Sequence, residues 1–470
     1  MKKSINSFLK NINFGEIISL LKSFNPLSNR TQLLLHIGID DTDSPEGGCT
    51  TYVAALLVEQ LETIGCRFID YPNLLRLNPN APWKTRGNGS ICLRVEASNS
   101  LEAGIKRAVI ESIENYAEFQ CDNTNPGVVF HVGEVPKVLE AFHNEVVQTI
   151  VSLDDAERLI TRYCSSAVAW KNRRGLIGAL ASIGGTLRGD HTYELLTYRT
   201  ASNRGTKRLV NEDSVKRMDS VIPETFNNFD PETNQVLIAP RGPDPVLYGV
   251  RGETPESVLS ASRLIEVGEP IERWVIFRTN QGTDAHLSCQ YRVSELIPRH
   301  PSIVSGIVEG RHRVIEGGHV IFTVGDDSGH IECAAYEPSG SFRDIVTRLS
   351  EGDEIKVAGG VRETDVGLTL NLERLEIISL AQKNRLVNPR CPVCDGPTES
   401  MGRSQGLRCK RCGNRGPGLV KKLEEVTRNL KPGFYLPPPR AERHLTKPLK
   451  RLGREKKGVP STLMTPWHSD

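Results

Sequence analysis

Three carboxylates crowd one short turn: Asp40, Asp41 and Asp43 in Ile37-Gly38-Ile39-Asp40-Asp41-Thr42-Asp43-Ser44, continued by Pro45-Glu46-Gly47-Gly48-Cys49-Thr50-Thr51-Tyr52. Carboxylates this close repel one another, and a hard cation such as Mg2+ relieves the repulsion while bridging to phosphate. Gly47 and Gly48 let backbone N–H groups approach an anion where a helix begins. A second group is Cys391-Pro392-Val393-Cys394 and Cys409-Lys410-Arg411-Cys412, two pairs separated by fourteen residues. Each pair sets two thiolates on a tight turn, and together they describe a tetrahedral four-sulfur Zn2+ site. No His or carboxylate stands at an open fourth position, so the expected metal is structural. A third group is basic. Lys84 and Arg86, in Trp83-Lys84-Thr85-Arg86-Gly87-Asn88-Gly89, are spaced to face one side of an extended segment. They suit the charge of a triphosphate, with Asn88 adding hydrogen bonds.

The elements that must position these groups are legible from periodicity. Leu33 to Ile39 is nearly continuous apolar sequence, a buried strand leading into the Asp turn. Val53, Leu56, Leu57, Leu61 and Ile64 recur at helical spacing after it, with Thr50 or Thr51 as the expected N-cap. A turn between a strand end and a helix start is where α/β sheets bind ligands. No Gly-Lys-Ser/Thr follows, so the turn is not a P-loop, and Tyr52 stands where an EF-hand needs its bidentate Glu. Further on, Arg173-Arg174-Gly175 opens a small-residue helix, either a packing seam or a phosphate site at a helix N-terminus. The loop Pro240-Arg241-Gly242-Pro243-Asp244-Pro245, flanked by strands, is too proline-rich to rearrange and suits ligand recognition; Asp244 at its tip is a candidate counter-ion for a cation. From Ser302 to Leu380 five alternating segments, with a helix between the third and fourth, give the OB-fold order. Phe322 and Tyr336 on it are candidate base-stacking residues.

Net charge is only +2, but residues 383–470 carry +13 and the rest −11. An acidic body with a basic tail points to a polyanionic partner. Lys410, Arg411, Phe434, Tyr435, Arg440, Arg443 and His444 interleave basic and aromatic side chains, a composition suited to RNA. No apolar run reaches transmembrane length. Residues 1–30 read as an amphipathic terminal extension rather than a signal peptide. Seven of the eleven cysteines are scattered singly, which suits a reducing cytoplasm. No obligate protein partner is expected.

GIDDTDS…GGCTTY, NP…P…KTRGNG, RGLIGALA, TYELLTYR, GTKR, PETFNN and IAPRGPDPVLYGVRGE occur in the order found in the archaeal tRNA(Ile) 2-agmatinylcytidine synthetases, the TiaS family, which this chain resembles. The resemblance implies a multidomain α/β and α+β protein. Its expected parts are an N-terminal extension (1–30), an α/β kinase-like ATP and Mg2+ domain (31–124), a ferredoxin-like agmatine-side domain (125–270), an OB-fold β-barrel (271–382), a zinc ribbon (383–430) and a basic tail (431–470). It implies a ligase that consumes ATP to AMP, activates the wobble cytidine of the CAU-anticodon isoleucine tRNA, and lets the amine of agmatine displace phosphate. By the same resemblance, Asp40, Asp41 and Asp43 hold Mg2+, Thr50 receives the γ-phosphate, and Lys84 and Arg86 neutralise charge. Gly47, Gly48, Asn88, Arg173 and Arg174 contact the nucleotide, while Arg241, Gly242, Pro243 and Asp244 face agmatine. The alternative is a non-catalytic tRNA- or single-strand-RNA-binding protein. It explains the barrel, ribbon and tail but leaves the Asp turn without a use. No nucleotidyl-transfer Lys-x-Asp-Gly motif is present.

Overall fold

The computed structural model describes residues 32–469 apart from positions 366 and 404, so the extension expected over residues 1–30 lies outside the described residues. The first half of the chain builds one large sheet. Its elements in order are β1 (Gln32–Asp40), α1 (Thr50–Ile64), β2 (Arg67–Phe68), β3 (Asn73–Arg76), β4 (Gly89–Ser98), α2 (Glu102–Tyr116), β5 (Gly127–Val132), α3 (Lys137–Gln148), α4 (Leu153–Tyr163), β6 (Ser166–Ala169) and α5 (Gly175–Gly184). There follow β7 (Thr192–Arg199), α6 (Glu212–Val221), β8 (Thr225–Phe226), the small pair β9 (Phe229–Asp230) and β10 (Gln235–Val236), then β11 (Val246–Gly252), α7 (Pro255–Leu264) and β12 (Ile271–Thr279).

Spatial order is β6-β5-β1-β4-β3-β12-β7-β11-β8, with β2 beside β4. β1 sits centrally, Leu35, Ile37 and Ile39 fully buried, which is why its sequence is almost unbroken apolar. The division expected at 124/125 falls inside this sheet, because β5 pairs with β1 from Leu35↔Val132 to Asp40↔Gly127. The two halves of the sheet meet where β3 and β12 run parallel at Asn73↔Arg278 and Leu74↔Thr279.

The OB order holds. β13 (Pro301–Ile315), β14 (His319–Asp326), β15 (Gly329–Ala335), α8 (Ser341–Thr347), β16 (Glu354–Thr364) and β17 (Gly367–Ser379) form a barrel closed by β15 against β17. Phe322 corrects one expectation. At 2% exposure it lies in the barrel core with Val304, Val324 and Ile331 and offers no face to a base. The zinc ribbon is two short antiparallel strand pairs, β18 (Asn384–Val387) with β21 (Lys422–Glu425) and, between them in sequence, the hairpin of β19 (Thr398–Ser400) with β20 (Leu407–Cys409).

The tail is not a free basic segment. β22 (Gly433–Tyr435) adds a strand to β17, setting Glu376 opposite Phe434. The chain then returns to the large sheet. Arg440 pairs with Asp230 at 2.6 Å and Glu232 at 2.9 Å, and Arg443 with Glu373 at 2.7 Å. Arg451, almost fully buried, pairs with Asp190 at 3.0 Å and Glu253 at 2.7 Å. Leu445 joins the core under α3 and α5, and Trp467 packs on Phe68 and Tyr71. Arg440 and Arg443 are therefore occupied by carboxylates of the body, which is the physical reason against a direct phosphate role for them.

Candidate active site

Asp40 leaves the sheet at the end of β1, and α5 lies directly over it. A Cβ on Gly178 would fall 1.9 Å from Asp40 Oδ2, and one on Gly38 would fall 2.0 Å from the Ala179 carbonyl. The small residues of α5 are thus a packing seam, and the seam sets where Asp40 points. The backbone then turns through Asp41 at φ 59, a left-handed conformation Asp tolerates better than most residues. Asp41 Oδ2 accepts from Arg174 Nη2 at 3.2 Å, and Asp43 Oδ2 accepts from Arg86 Nε at 3.0 Å. Burial first, and the Asp41 charge second, push the Asp40 carboxyl well above the usual range; burial also raises Asp41, against the pull of Arg174. Arg173, in contrast, turns to Glu157 at 2.9 Å and stays off the site.

The helix α1 begins at Thr50 with Cys49 as N-cap, one residue before the expected cap. Thr50 is free for another contact and accepts from the Thr42 hydroxyl at 3.0 Å. Ser44 Oγ accepts from the amides of Glu46 and Gly47, both at 3.1 Å, so the Gly47 N–H is already used within the turn. Gly48 takes φ +69 with the Glu118 side chain against it.

Arg86 ties two loops together. Besides Asp43 it donates to the Gly48 carbonyl at 2.7 Å and stands 3.5 Å from Asp244 Oδ2. Lys84 donates to the Pro79 carbonyl, and burial, with Arg443 nearby, pulls its amine down. Asn88 Nδ2 donates to the Asn78 carbonyl at 2.7 Å, so its side chain holds the loop rather than standing open. The Asp244 hairpin folds around Arg208, which donates to the carbonyls of Pro240, Gly242, Asp244 and Val246 at 2.7–2.8 Å and lies 3.4 Å from Asp244 Oδ1.

These loops enclose one cavity of about 410 Å3 lined by Asp40, Asp41, Asp43, Thr50, Lys84, Arg86, Asn88, Arg174 and Asp244. Arg241, Gly242 and Pro243 stay outside its wall. Its wall also includes Arg76, Glu194, Arg251 and His444. His444, expected among the RNA contacts, thus stands in the cavity wall, and Arg76, Glu194 and Arg251 join it without a motif to mark them. Their only signal is a charged residue inside an otherwise apolar strand, as in TYELLTYR and LLRL.

At the ribbon the four sulfurs of Cys391, Cys394, Cys409 and Cys412 lie within 4.8 Å of one another, with Sγ–Sγ separations of 3.6 Å and 3.5 Å for Cys391–Cys412 and Cys394–Cys409. A tetrahedron with Zn–S bonds of about 2.3 Å has edges of about 3.8 Å, and amides of Arg411 and Cys412 approach Cys409 Sγ at 3.3 Å and 3.4 Å. Zn2+ fits. Among the described residues this is the one set of three or more His, Cys, Asp or Glu side chains converging so closely; Arg174 and Arg86 hold the Asp groups apart. Lys410 and Arg411 are exposed on the second knuckle, Lys410 lying 3.5 Å from Glu399. Tyr336 is 39% and Phe434 43% exposed, both on the barrel. Among the described residues no helix is long and apolar enough to cross a membrane.

Comparison with known proteins assigns the same regions. Residues 36–171 match the TiaS TCKD domain, 173–286 the TiaS FLD domain, 303–378 the OB-fold nucleic acid binding domain, and 388–430 the TiaS C-terminal zinc ribbon domain. The isoleucine-tRNA 2-agmatinylcytidine synthetase TiaS of Methanocaldococcus jannaschii is 43% identical over 428 residues, 89% of this chain and 99% of the relative. The crystal structure of apo TiaS superposes with TM-score 0.81 at 39% identity, covering 89% of this chain and 97% of that one. A crystal structure of TiaS in complex with its isoleucine tRNA, AMPCPP and agmatine gives TM-score 0.77 at 37% identity with the same coverage.

Proposed function

The chain belongs to the TiaS family, and from that premise we propose how its own residues join agmatine to C2 of the wobble cytidine in the CAU-anticodon isoleucine tRNA. The ligation takes three transfers and leaves AMP. The γ-phosphoryl of ATP passes to the Thr50 hydroxyl, leaving ADP. The β-phosphoryl then passes from ADP to the C2 carbonyl oxygen, leaving AMP. The agmatine amine then attacks C2, a C–N bond forms, and the C–O bond breaks as phosphate leaves with the oxygen. The product pairs with A, so the tRNA reads AUA.

One observation carries this reading. Arg86 touches both Asp43 and Asp244, which are 201 positions apart, and so joins the Asp turn to the hairpin across a single cavity. A cavity lined by carboxylates and cations together suits a metal-bound triphosphate. Asp40, Asp41 and Asp43 would hold Mg2+; when bound, it would favour their ionised forms and screen the phosphates. Thr50, with its hydroxyl on the cavity wall and an acceptor bond from Thr42, is the proposed γ-phosphate receiver. Lys84 and Arg86 offset the charge that develops on transfer. Arg174 orients Asp41, and Asn88 fixes the loop that carries Lys84 and Arg86.

Asp244 marks the amine side. Agmatine is doubly cationic, and a buried carboxylate next to it is electrostatically sensible. Because Arg86 and Arg208 already flank Asp244, the same carboxylate also sets the position of Arg86. The barrel face with Tyr336, the exposed Phe434 and the ribbon's Lys410 and Arg411 present the tRNA to the cavity.

The test is mass analysis of the CAU-anticodon isoleucine tRNA after incubation with the protein. The tRNA should gain the mass of agmatine less one water, and only when ATP, Mg2+ and agmatine are all present. A non-catalytic RNA-binding protein would leave the tRNA mass unchanged.

A further inference from the structure

Arg76 ends β3 at the cavity wall. Its main chain is clamped from both sides: the amide donates to Asn280 Oδ1 at 2.8 Å, and Asn280 Nδ2 donates to its carbonyl at 2.9 Å. The guanidinium is treated differently. Every other cavity arginine has a carboxylate partner: Arg86 has Asp43, Arg174 has Asp41, and Arg251 has Glu194. Arg76 makes no ion pair among the described residues, and its Nε is buried without an acceptor. Arg76 is half-buried, and Glu194, which acts on it through space, is already paired with Arg251; a cation so placed is stabilised when an anion arrives.

His444 reaches the same place from the other end of the chain. Arg251 Nη2 donates to His444 Nδ1 at 2.9 Å. A guanidinium can only donate, so Nδ1 is the acceptor and the ring proton sits on Nε2. Arg76 first, then burial, Arg251 and Lys84, hold the ring neutral. Nε2 has no partner among the described residues. Gly87 lies over both groups: a Cβ there would stand 2.5 Å from Arg76 Nη1 and 3.2 Å from His444 Nε2. The loop bearing Lys84 and Arg86 therefore packs its backbone on this pair.

We propose that Arg76 and His444 form an anion subsite for the phosphoryl group in transit, Arg76 supplying the charge and His444 Nε2–H a second donor. The subsite rests on the reaction proposed above. It forms no covalent bond: the P–O bond to the nucleotide breaks, the bond to the carbonyl oxygen forms, and both groups hold the non-bridging oxygens. The same donors stabilise the phosphate as the amine expels it. Glu194 acts one step removed, by fixing Arg251 at 3.0 Å and so the tautomer of His444.

The experiment uses the full chain with Arg76→Gln, Arg76→Lys, His444→Ala and His444→Gln. At saturating ATP, agmatine and tRNA, Arg76→Gln should lower kcat about 100-fold or more, with tRNA affinity unmoved. Arg76→Lys should recover part of that. His444→Ala should cost about 10-fold, and His444→Gln, whose amide nitrogen replaces Nε2, should restore most of it. The double variant Arg76→Gln/His444→Ala should be little worse than Arg76→Gln alone, because both act on one group. A second arm does not depend on the reaction: inorganic phosphate should raise the thermal midpoint of the wild type and not of Arg76→Gln. An Arg76→Gln rate within about three-fold of wild type, or equal phosphate stabilisation of both proteins, overturns the proposal. If His444→Gln is as slow as His444→Ala, His444 is removed from the subsite. If the wild type makes no agmatinylcytidine, the reaction reading fails and the phosphate arm alone decides the subsite.

Discussion

Truncating the chain after Gly458 should unseat the large sheet without touching tRNA electrostatics. Residues 459–470 contain no lysine or arginine, so a tRNA contact made through basic charge loses nothing. What is lost is packing. Trp467, 7% exposed, sits with its ring centre 5.3 Å from that of Phe68 and 6.1 Å from that of Tyr71. Its carbonyl accepts from the Ile276 amide at 2.9 Å, and the Ser469 amide donates to Trp274 at 2.9 Å. The segment thus bridges β2 on one side of the β3–β12 join and β12 on the other. Removing a buried Trp costs about 3–5 kcal/mol, and two backbone hydrogen bonds add about 1 kcal/mol each. For a unit of this size that is a fall in thermal midpoint on the order of 10 °C. The assay is a thermal scan beside a salt titration of tRNA binding. The midpoint should fall while the slope of log affinity against log salt stays unchanged. An unchanged midpoint with weakened tRNA binding would show that residues 459–470 contact RNA rather than brace the sheet.

The other expectations concern single charges. Asp41→Asn should abolish ligation, at least about 100-fold, while the midpoint holds, because Arg174 keeps its bonds to the Asn123 carbonyl and side chain at 2.8 Å and 3.1 Å; an active Asp41→Asn enzyme would remove the metal assignment. Asp244→Asn should weaken ATP and agmatine together, by up to about 3 kcal/mol, since it frees Arg86 as well as the amine side; a loss confined to agmatine would show that the carboxylate faces the amine alone. Glu442, half-buried beside the Asn227 amide that donates to it at 2.7 Å, is pushed up by burial to about 7. The folded state holds this proton and the unfolded state does not between about pH 4.5 and 7, so this carboxyl's contribution is fullest at the acid end and is lost as pH rises. Glu442→Gln should therefore raise the unfolding free energy at about pH 8, on the order of 3 kcal/mol, and little at about pH 5; no pH dependence of that gain would contradict the buried charge.

Much of the site was legible because its residues are close in sequence. The Asp turn, the Lys84–Arg86 loop and the Cys pairs are local patterns, and a local pattern states its chemistry at once. The OB order was legible for the same reason, since five strands and one helix are each short-range. The tail was not. Its Arg440 and Arg443 read as RNA contacts, and only the fold reveals the carboxylates at Asp230 and Glu373 that they meet. Phe322 failed differently: period-two alternation marks two faces of a strand without saying which one closes inward. Arg76 and Glu194 were missed because a lone charge in a strand carries no spacing, and their meaning comes from β3, β7 and β11 converging on one cavity. The seam of α5 was read as an even choice between packing and phosphate. The structure uses it for packing, with Arg174 alone turned to the Asp turn.

If the wobble carbonyl oxygen is phosphorylated and then expelled by agmatine, that oxygen must leave with the phosphate. A tRNA carrying a heavy-oxygen label at C2 of that cytidine, incubated with the protein, ATP, Mg2+ and agmatine, follows that oxygen directly. The label should appear in inorganic phosphate in step with agmatinylcytidine. Label recovered in AMP, or retained in the modified tRNA, would contradict it.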